Sequence, residues 1–309
     1  MTVLSAVLPV FLTIAAGWLF GRIRKIDGGG VALLNAYVVW VALPALLFDF
    51  IAEADWAVLG QGRFALVFFG GIAITFLATM LLPARAGDGR GLADRSIQSL
   101  AASYANTAYM GIPLLGTLFG AAGTAAAVLA SILTVCLIFA FSIALVETDV
   151  RRGSGFAATL LRVGAGVLRN PIVLSPLAGL AWNLTGLAMP HAAQSFLKLL
   201  GGSATPVALV TIGMFLAIPR PAVPKLPLAL TAIAKLALQP LATAALLMLI
   251  PLPKPWAAAA LLLAALPTGT GPFMVAQLYG RDMALTARTI LITTILSVAT
   301  VSGLAFLLI

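Results

Sequence analysis

Apolar residues run along this chain in long blocks, interrupted at short intervals by charged residues, glycine and proline. A helix needs roughly 20 apolar residues to cross a hydrocarbon core. Ten blocks approach or reach that length, at about 2–21, 31–51, 63–82, 96–119, 124–146, 168–188, 193–218, 226–250, 256–279 and 284–309. They are apolar on every face, whereas barrel strands would alternate apolar and polar positions over about ten residues. The pattern predicts an all-α polytopic membrane protein with ten transmembrane helices and short connections.

Composition points the same way. With 62% hydrophobic and 9% charged residues among 309, there is too little polar surface to cover a water-soluble globule. The net charge of +9 raises the question of nucleic acid, but the basic residues are scattered over short loops and form no stripe with interleaved aromatics. Loops after odd-numbered blocks hold 14 of the 18 Lys and Arg, among them Arg22, Arg24, Lys25, Arg95, Arg151, Arg152, Lys225, Arg281 and Arg288. The positive-inside rule therefore places those loops in the cytoplasm and both termini outside. The first block has no basic residue ahead of it and no small-residue cleavage site after it, so a retained helix is expected. The single cysteine, Cys136, can build neither a disulfide framework nor a thiolate metal cluster.

The chain repeats itself. "PVFLTIAAG", Pro9 to Gly17, aligns without gaps on "PIVLSPLAG", Pro171 to Gly179, and at the same offset of 162 Pro44 falls on Pro206. "GIPLLGTLFG", Gly111 to Gly120, lies on "GPFMVAQLYG", Gly271 to Gly280, at offset 160. Two halves of five blocks are expected, 1–147 and 168–309, joined by a cytoplasmic link at 148–167. An odd number of crossings makes the second half enter the membrane from the opposite face, so the halves are inverted copies.

The fourth block of each half carries helix-breaking chemistry at its middle: "YANTAYMGIP" from Tyr104, and "LPTGTGPFM" from Leu266. Proline removes a backbone donor and glycine lets the chain leave helical geometry. Unwound backbone at membrane depth is tolerated only where it is buried in protein or lines a wet cavity. Half-helix N-termini at such breaks present unpaired amides and partial positive charge that favour an anion. The candidate substrate-binding residues are therefore Asn106, Thr107, Tyr109, Gly111 and Pro113 in the first break, with Pro267, Thr268, Gly269, Thr270, Gly271 and Pro272 in the second. The bland alternative is a pair of proline kinks, common in membrane helices; equivalent positions in the two halves favour a site.

Lys235 lies ten residues into the eighth block with Gln239 one turn on. An intramembrane lysine is a functional candidate by default; it would supply charge for a dicarboxylate or pair with the break in the ninth helix, against the alternative of snorkelling to the interface. Asp49, Glu53 and Asp55 are expected to mark a solvated helix end, against the alternative of a proton-coupling role. Ser131 and Thr134 would line a cavity or bond back to their own helix, the second being favoured. His191, alone in an outer loop, has no partners for metal or catalysis.

Together "NTAYMGIPLLG", "RNPIVLSPLAGL", "KLALQPL" and "PTGTGPFMVAQLYG" resemble the auxin efflux carrier family, which includes bacterial malonate and malate permease homologues, over essentially the whole chain. The resemblance implies a fold similar to bile-acid symporters and sodium/proton antiporters, with the fourth and ninth helices crossing at their broken centres. It implies an elevator carrier of carboxylate anions, in which helices 1, 2, 6 and 7 form a dimerising scaffold and helices 3–5 and 8–10 carry the site. Asn106 matches the family's fourth-helix asparagine near the substrate carboxylate, and Pro113 and Pro272 fall in the crossing motifs. Neither crossing contains Asp or Glu, which leaves sodium held by carbonyls and hydroxyls as a coupling ion, or uncoupled export on the membrane potential, worth about 2.3 kcal/mol per charge per 100 mV. No other cofactor is expected.

The expectation is thus a secondary transporter of small organic anions in a bacterial inner membrane. An intramembrane enzyme is disfavoured, since no paired membrane aspartates, "HExxH" or Ser/His pair at membrane depth occurs. A channel remains possible in principle, and a non-transporting sensor on the same fold is the alternative.

Overall fold

A computed structural model describes residues 3–54, 60–81, 91–150, 171–219 and 223–308. The proposed link at 148–167 lies almost wholly outside the described residues, as do Asp55 and several loop arginines. The elements, in chain order, are α1 (Val3–Arg24), α2 (Gly28–Tyr37), α3 (Leu43–Ala52), α4 (Gly62–Met80), α5 (Leu92–Ser103), α6 (Ile112–Leu133), α7 (Ala140–Val150), α8 (Pro171–Leu184), α9 (His191–Gly202), α10 (Ala204–Ala217), α11 (Lys225–Ile233), α12 (Gln239–Leu249), α13 (Lys254–Ala265), α14 (Gly271–Leu278) and α15 (Ala284–Leu308). Joined across these boundaries, the described residues give six apolar helical stretches long enough to cross a membrane, Gly28–Ala52, Gly62–Met80, Leu114–Val150, His191–Ala217, Lys225–Leu249 and Ala284–Leu308, the third of them kinked at Gly120. The protein is an all-helical polytopic membrane protein, as its apolar blocks require.

Widened π turns occur at Val38–Ala42, Thr134–Phe139 and Ala234–Leu238 within three of these stretches, and at Thr107–Gly111 just before Leu114–Val150. Pro44, Pro113 and Pro240 each follow one of them by two residues. A proline inside a helix has no N–H to donate and its ring presses on the carbonyl four residues back, so a wider turn before it relieves the clash without ending the helix.

The helices pack most extensively within two groups. Helix α1 lies along α10, α2 also meets α10, and α3 packs on α8 and α9. Separately, α4 packs on α5 and α12, α5 on α7, and α13 on α6 and α12. A Cβ added to Gly17 would stand 2.3 Å from the Val210 carbonyl oxygen, and one on Gly213 2.1 Å from that of Ile14. Helices α1 and α10 therefore touch backbone to backbone, the close small-residue contact that drives association in lipid. The second group holds much of the dense core, with Phe64, Phe68, Phe76, Leu100, Met110, Leu115, Phe139 and Phe273 all buried. Leu199, Met248 and Phe306 stand open at the perimeter, as apolar side chains on a membrane-embedded surface can.

Gly120 and Gly280, which the sequence alignment at offset 160 superposes, both adopt left-handed backbone, with φ of 61° and 62°. Nothing lies within reach of a Cβ at either position. Conformation, and not space, demands glycine there. Beside the second turn, Arg281 reaches Asp94 at 3.5 Å and Asp149 at 3.8 Å, while Asp149 also accepts from the Ala93 amide at 3.0 Å at the start of α5. The Tyr279 hydroxyl donates to Glu147 at 2.7 Å. These contacts tie the charged ends of α5, α7 and α14 together.

Candidate functional site

Helix α5 ends at Ser103, and Tyr104 turns out of helical geometry at φ −83° and ψ 92°. Helix α13 ends at Ala265, and Leu266 turns out at φ −59° and ψ 154°. The two extended stretches then pair with each other. The Asn106 amide donates to the Pro267 carbonyl at 2.9 Å, the Gly269 amide donates to the Tyr104 carbonyl at 2.9 Å, and Ala105 faces Thr268 in one antiparallel bridge. Each break supplies hydrogen bonds that the other lost on leaving its helix. An amide or carbonyl left bare at this depth would cost several kcal/mol, on the order of 4–8.

The carbonyls orphaned at the two helix ends also find donors. The Thr268 hydroxyl donates to the Ala101 carbonyl at 2.8 Å, closing the end of α5, and the Thr293 hydroxyl accepts from the Thr268 amide at 3.1 Å. Lys235, with no exposed surface, donates from Nζ to the Ala264 carbonyl at 2.8 Å, closing the end of α13.

Beyond the paired stretches the chain re-enters helix, at Thr107 in one half and Gly271 in the other. Both starts face one cleft with a cavity volume of about 40 Å³. Tyr104, Asn106, Thr107, Gly269, Thr270 and Gly271 form its polar side; Leu43, Leu46, Leu47, Phe50 and Ile51 of α3 form the opposite wall; Ser131, Ile132, Val135 and Cys136 close it laterally. None of the lining residues carries a formal charge. The Thr107 amide donates to the Ala105 carbonyl at 2.9 Å and Pro272 has no amide hydrogen, so the donors on the polar side come chiefly from the Asn106 amide group and the hydroxyls of Thr107 and Thr270.

The Tyr104 ring explains two of the glycines. A Cβ on Gly269 would come within 2.9 Å of that ring, and one on Gly271 within 2.8 Å. The ring also packs against Phe139 with centroids 5.7 Å apart. Tyrosine and glycines thus set the shape of the cleft together.

Of the residues proposed from sequence, Asn106, Thr107, Gly269, Thr270 and Gly271 meet at the cleft. Thr268 lies behind it, fully buried in the capping role just described. Gly111 is buried against Leu263 and Leu266, and Pro267 and Pro272 are buried within the crossing. The side chains of Tyr109 and Pro113 lie outside what the structure describes. Lys235 and Gln239 are fully buried and do not line the cleft. Ser131 and Thr134 bond back to the carbonyls of Ala127 and Ala130, both at 2.7 Å, while Ser131 also borders the cleft. Sequence reasoning missed the α3 wall and Met274, and left Tyr104 out of the candidate site; only the proximity of Tyr104 to the break signalled it.

The family described as "Membrane transport protein" matches residues 2–305. The chain belongs to this family. It is the auxin efflux carrier-like family indicated by the motifs. The chain is also 34% identical over 316 residues to the "Putative malonate transporter" of Rhizobium meliloti (strain 1021), with 98% of this chain and 94% of the relative covered. This membrane transport protein is accordingly a transporter and not an enzyme.

Proposed function

We propose that the protein is a secondary carrier of small organic carboxylates, with the anion bound where the stretches 104–106 and 266–270 cross. The observation that carries this reading is the convergence of two half-helix N-termini, at Thr107 and Gly271, on one cleft. Their partial positive charge attracts an anion without any Lys or Arg. The Asn106 amide group and the hydroxyls of Thr107 and Thr270 add donors to a bound carboxylate, and the rest of the substrate faces the apolar α3 wall. The relative named for malonate transport supports a small organic anion.

The packing groups support an elevator mechanism. In this reading α1–α3 and α8–α10 form a scaffold through which two copies associate, while α4–α7 and α11–α15 carry the site across the bilayer. The cleft sits where α3 meets the second group, so sliding would expose it to alternate sides. The inverted five-helix repeat is supported by the sequence offsets and by the matched left-handed glycines Gly120 and Gly280. Among the described residues no cluster of three or more His, Cys, Asp or Glu could hold a metal ion. A coupling sodium, if used, would be held by carbonyls and hydroxyls at the crossing, and the carrier would reside in a bacterial inner membrane with both termini outside.

Counterflow in proteoliposomes tests this reading. Unlabelled malonate or another small carboxylate preloaded inside should accelerate uptake of the labelled anion, because an alternating site returns loaded. Uptake indifferent to preloading would indicate a channel, and absence of any carboxylate flux would indicate a sensor; both outcomes overturn the proposal.

A further inference from the structure

The two sides of the cleft are chemically unequal. Donors stand where the breaks cross, on the Asn106 amide group and the hydroxyls of Thr107 and Thr270. The wall across from them is Leu43, Leu46, Leu47, Phe50 and Ile51, and none of these can pair with a charge. Laterally, Ser131 already gives its hydroxyl hydrogen to the Ala127 carbonyl at 2.7 Å, and the Cys136 thiol is a weak donor. Lys235, which the sequence offered as a partner for a dicarboxylate, is buried away from the cleft with Nζ on the Ala264 carbonyl. The cavity is also small, about 40 Å³. One carboxylate can be satisfied here, and a second meets only apolar wall.

An ionised group buried without a partner is costly, and in practice it takes up a proton and is buried neutral. We infer that the cleft accepts a single negative charge, so that the carrier takes short monocarboxylates as they are and a dicarboxylate such as malonate only as its singly protonated monoanion. The inference rests on the carboxylate site proposed above and adds the ionisation state of what that site binds. Above its second dissociation a dicarboxylate gains one proton from solution on entering and returns it on leaving at the other side. The proton travels on the substrate, and the crossing needs no Asp or Glu to carry it. Among the described residues, the titratable side chains that face the cleft are Tyr104 from the first break and Cys136 from the turn Thr134–Phe139; α3, the second break and α14 add none.

The test uses the purified full chain in nanodiscs, with acetate, monomethyl malonate and malonate measured from below to above malonate's second dissociation. Monomethyl malonate carries one charge throughout this series, so its affinity and that of acetate should stay level. Malonate should weaken about tenfold for each pH unit above its second dissociation, the effect of one linked proton. Calorimetry in buffers of different ionisation enthalpy should count about one proton taken up per malonate bound at the alkaline end, and none per monomethyl malonate. Lys235→Met separates ligand from protein: whatever it does to overall affinity, the malonate slope should remain, because the proton sits on the ligand. Proton counting on the unaltered chain decides the question if that variant fails to fold.

Malonate affinity that stays level with pH, with no proton taken up, would seat the dianion in the cleft and overturn this inference while leaving the carboxylate site standing. A slope abolished by Lys235→Met would give the proton to the lysine and overturn it as well. Failure of acetate, monomethyl malonate and malonate alike to bind at any pH would instead remove the parent reading.

Discussion

The Nζ of Lys235 lies 2.8 Å from the carbonyl oxygen of Ala264, at the end of the half-helix that precedes the second break. The lysine thus serves the backbone of the crossing, and its side chain does not line the cleft. This relationship orders what substitutions should do.

Replacing Lys235 by alanine should slow transport of mono- and dicarboxylates by the same factor, since no substrate charge meets Nζ. Loss of this bond leaves the buried Ala264 carbonyl unpaired, which costs about 1–3 kcal/mol. Thermal unfolding should show a decrease of a few degrees. A dicarboxylate-selective loss in proteoliposome uptake would place Nζ at the substrate instead.

Asn106→Ala should weaken carboxylate binding about tenfold, the effect of one charge-assisted hydrogen bond. The backbone bond from Asn106 to Pro267 is untouched by the change, so the thermal midpoint without ligand should stay where it is. Ligand-induced thermal shifts check both statements, and an undiminished shift would remove Asn106 from the site.

Gly271→Ala should cut flux at least about tenfold, because its methyl would stand 2.8 Å from the Tyr104 ring and overpacking of this kind costs about 1–3 kcal/mol. Tyr104→Leu in the same chain removes the clashing ring atoms and should restore folding stability in part. If Gly271→Ala alone transports normally, the ring does not set the cleft's shape.

At the charged ends of α5, α7 and α14, Asp149→Ala should cost more than Arg281→Gln. The arginine's pairs are partly exposed, at 3.5 and 3.8 Å, and such pairs contribute under about 1 kcal/mol. Asp149 also caps the start of α5 through the Ala93 amide, worth about 1 kcal/mol more. Raising salt to about 1 M should shrink the Arg281→Gln deficit and spare much of the Asp149→Ala one. Equal deficits at every salt concentration would contradict this division.

Legibility followed the range of the physics. Proline and glycine act on their own backbone, so the breaks near Tyr104 and Leu266 could be read from local composition, and hydrocarbon length alone dictates the apolar blocks. Asn106, Thr107 and Thr270 were recognisable for the same reason: short polar groups beside a break have few other uses at that depth. The sequence by itself therefore determined that this chain crosses the membrane as helices, repeats itself and interrupts two helices. Tertiary structure alone decided that the two interruptions pair with each other, that Lys235 and Thr268 close helix ends, and that the leucines of α3 wall the cleft. In a membrane protein apolar side chains face lipid and protein alike, so hydrophobicity cannot say which leucine meets a substrate; that depends on contacts between residues far apart along the chain.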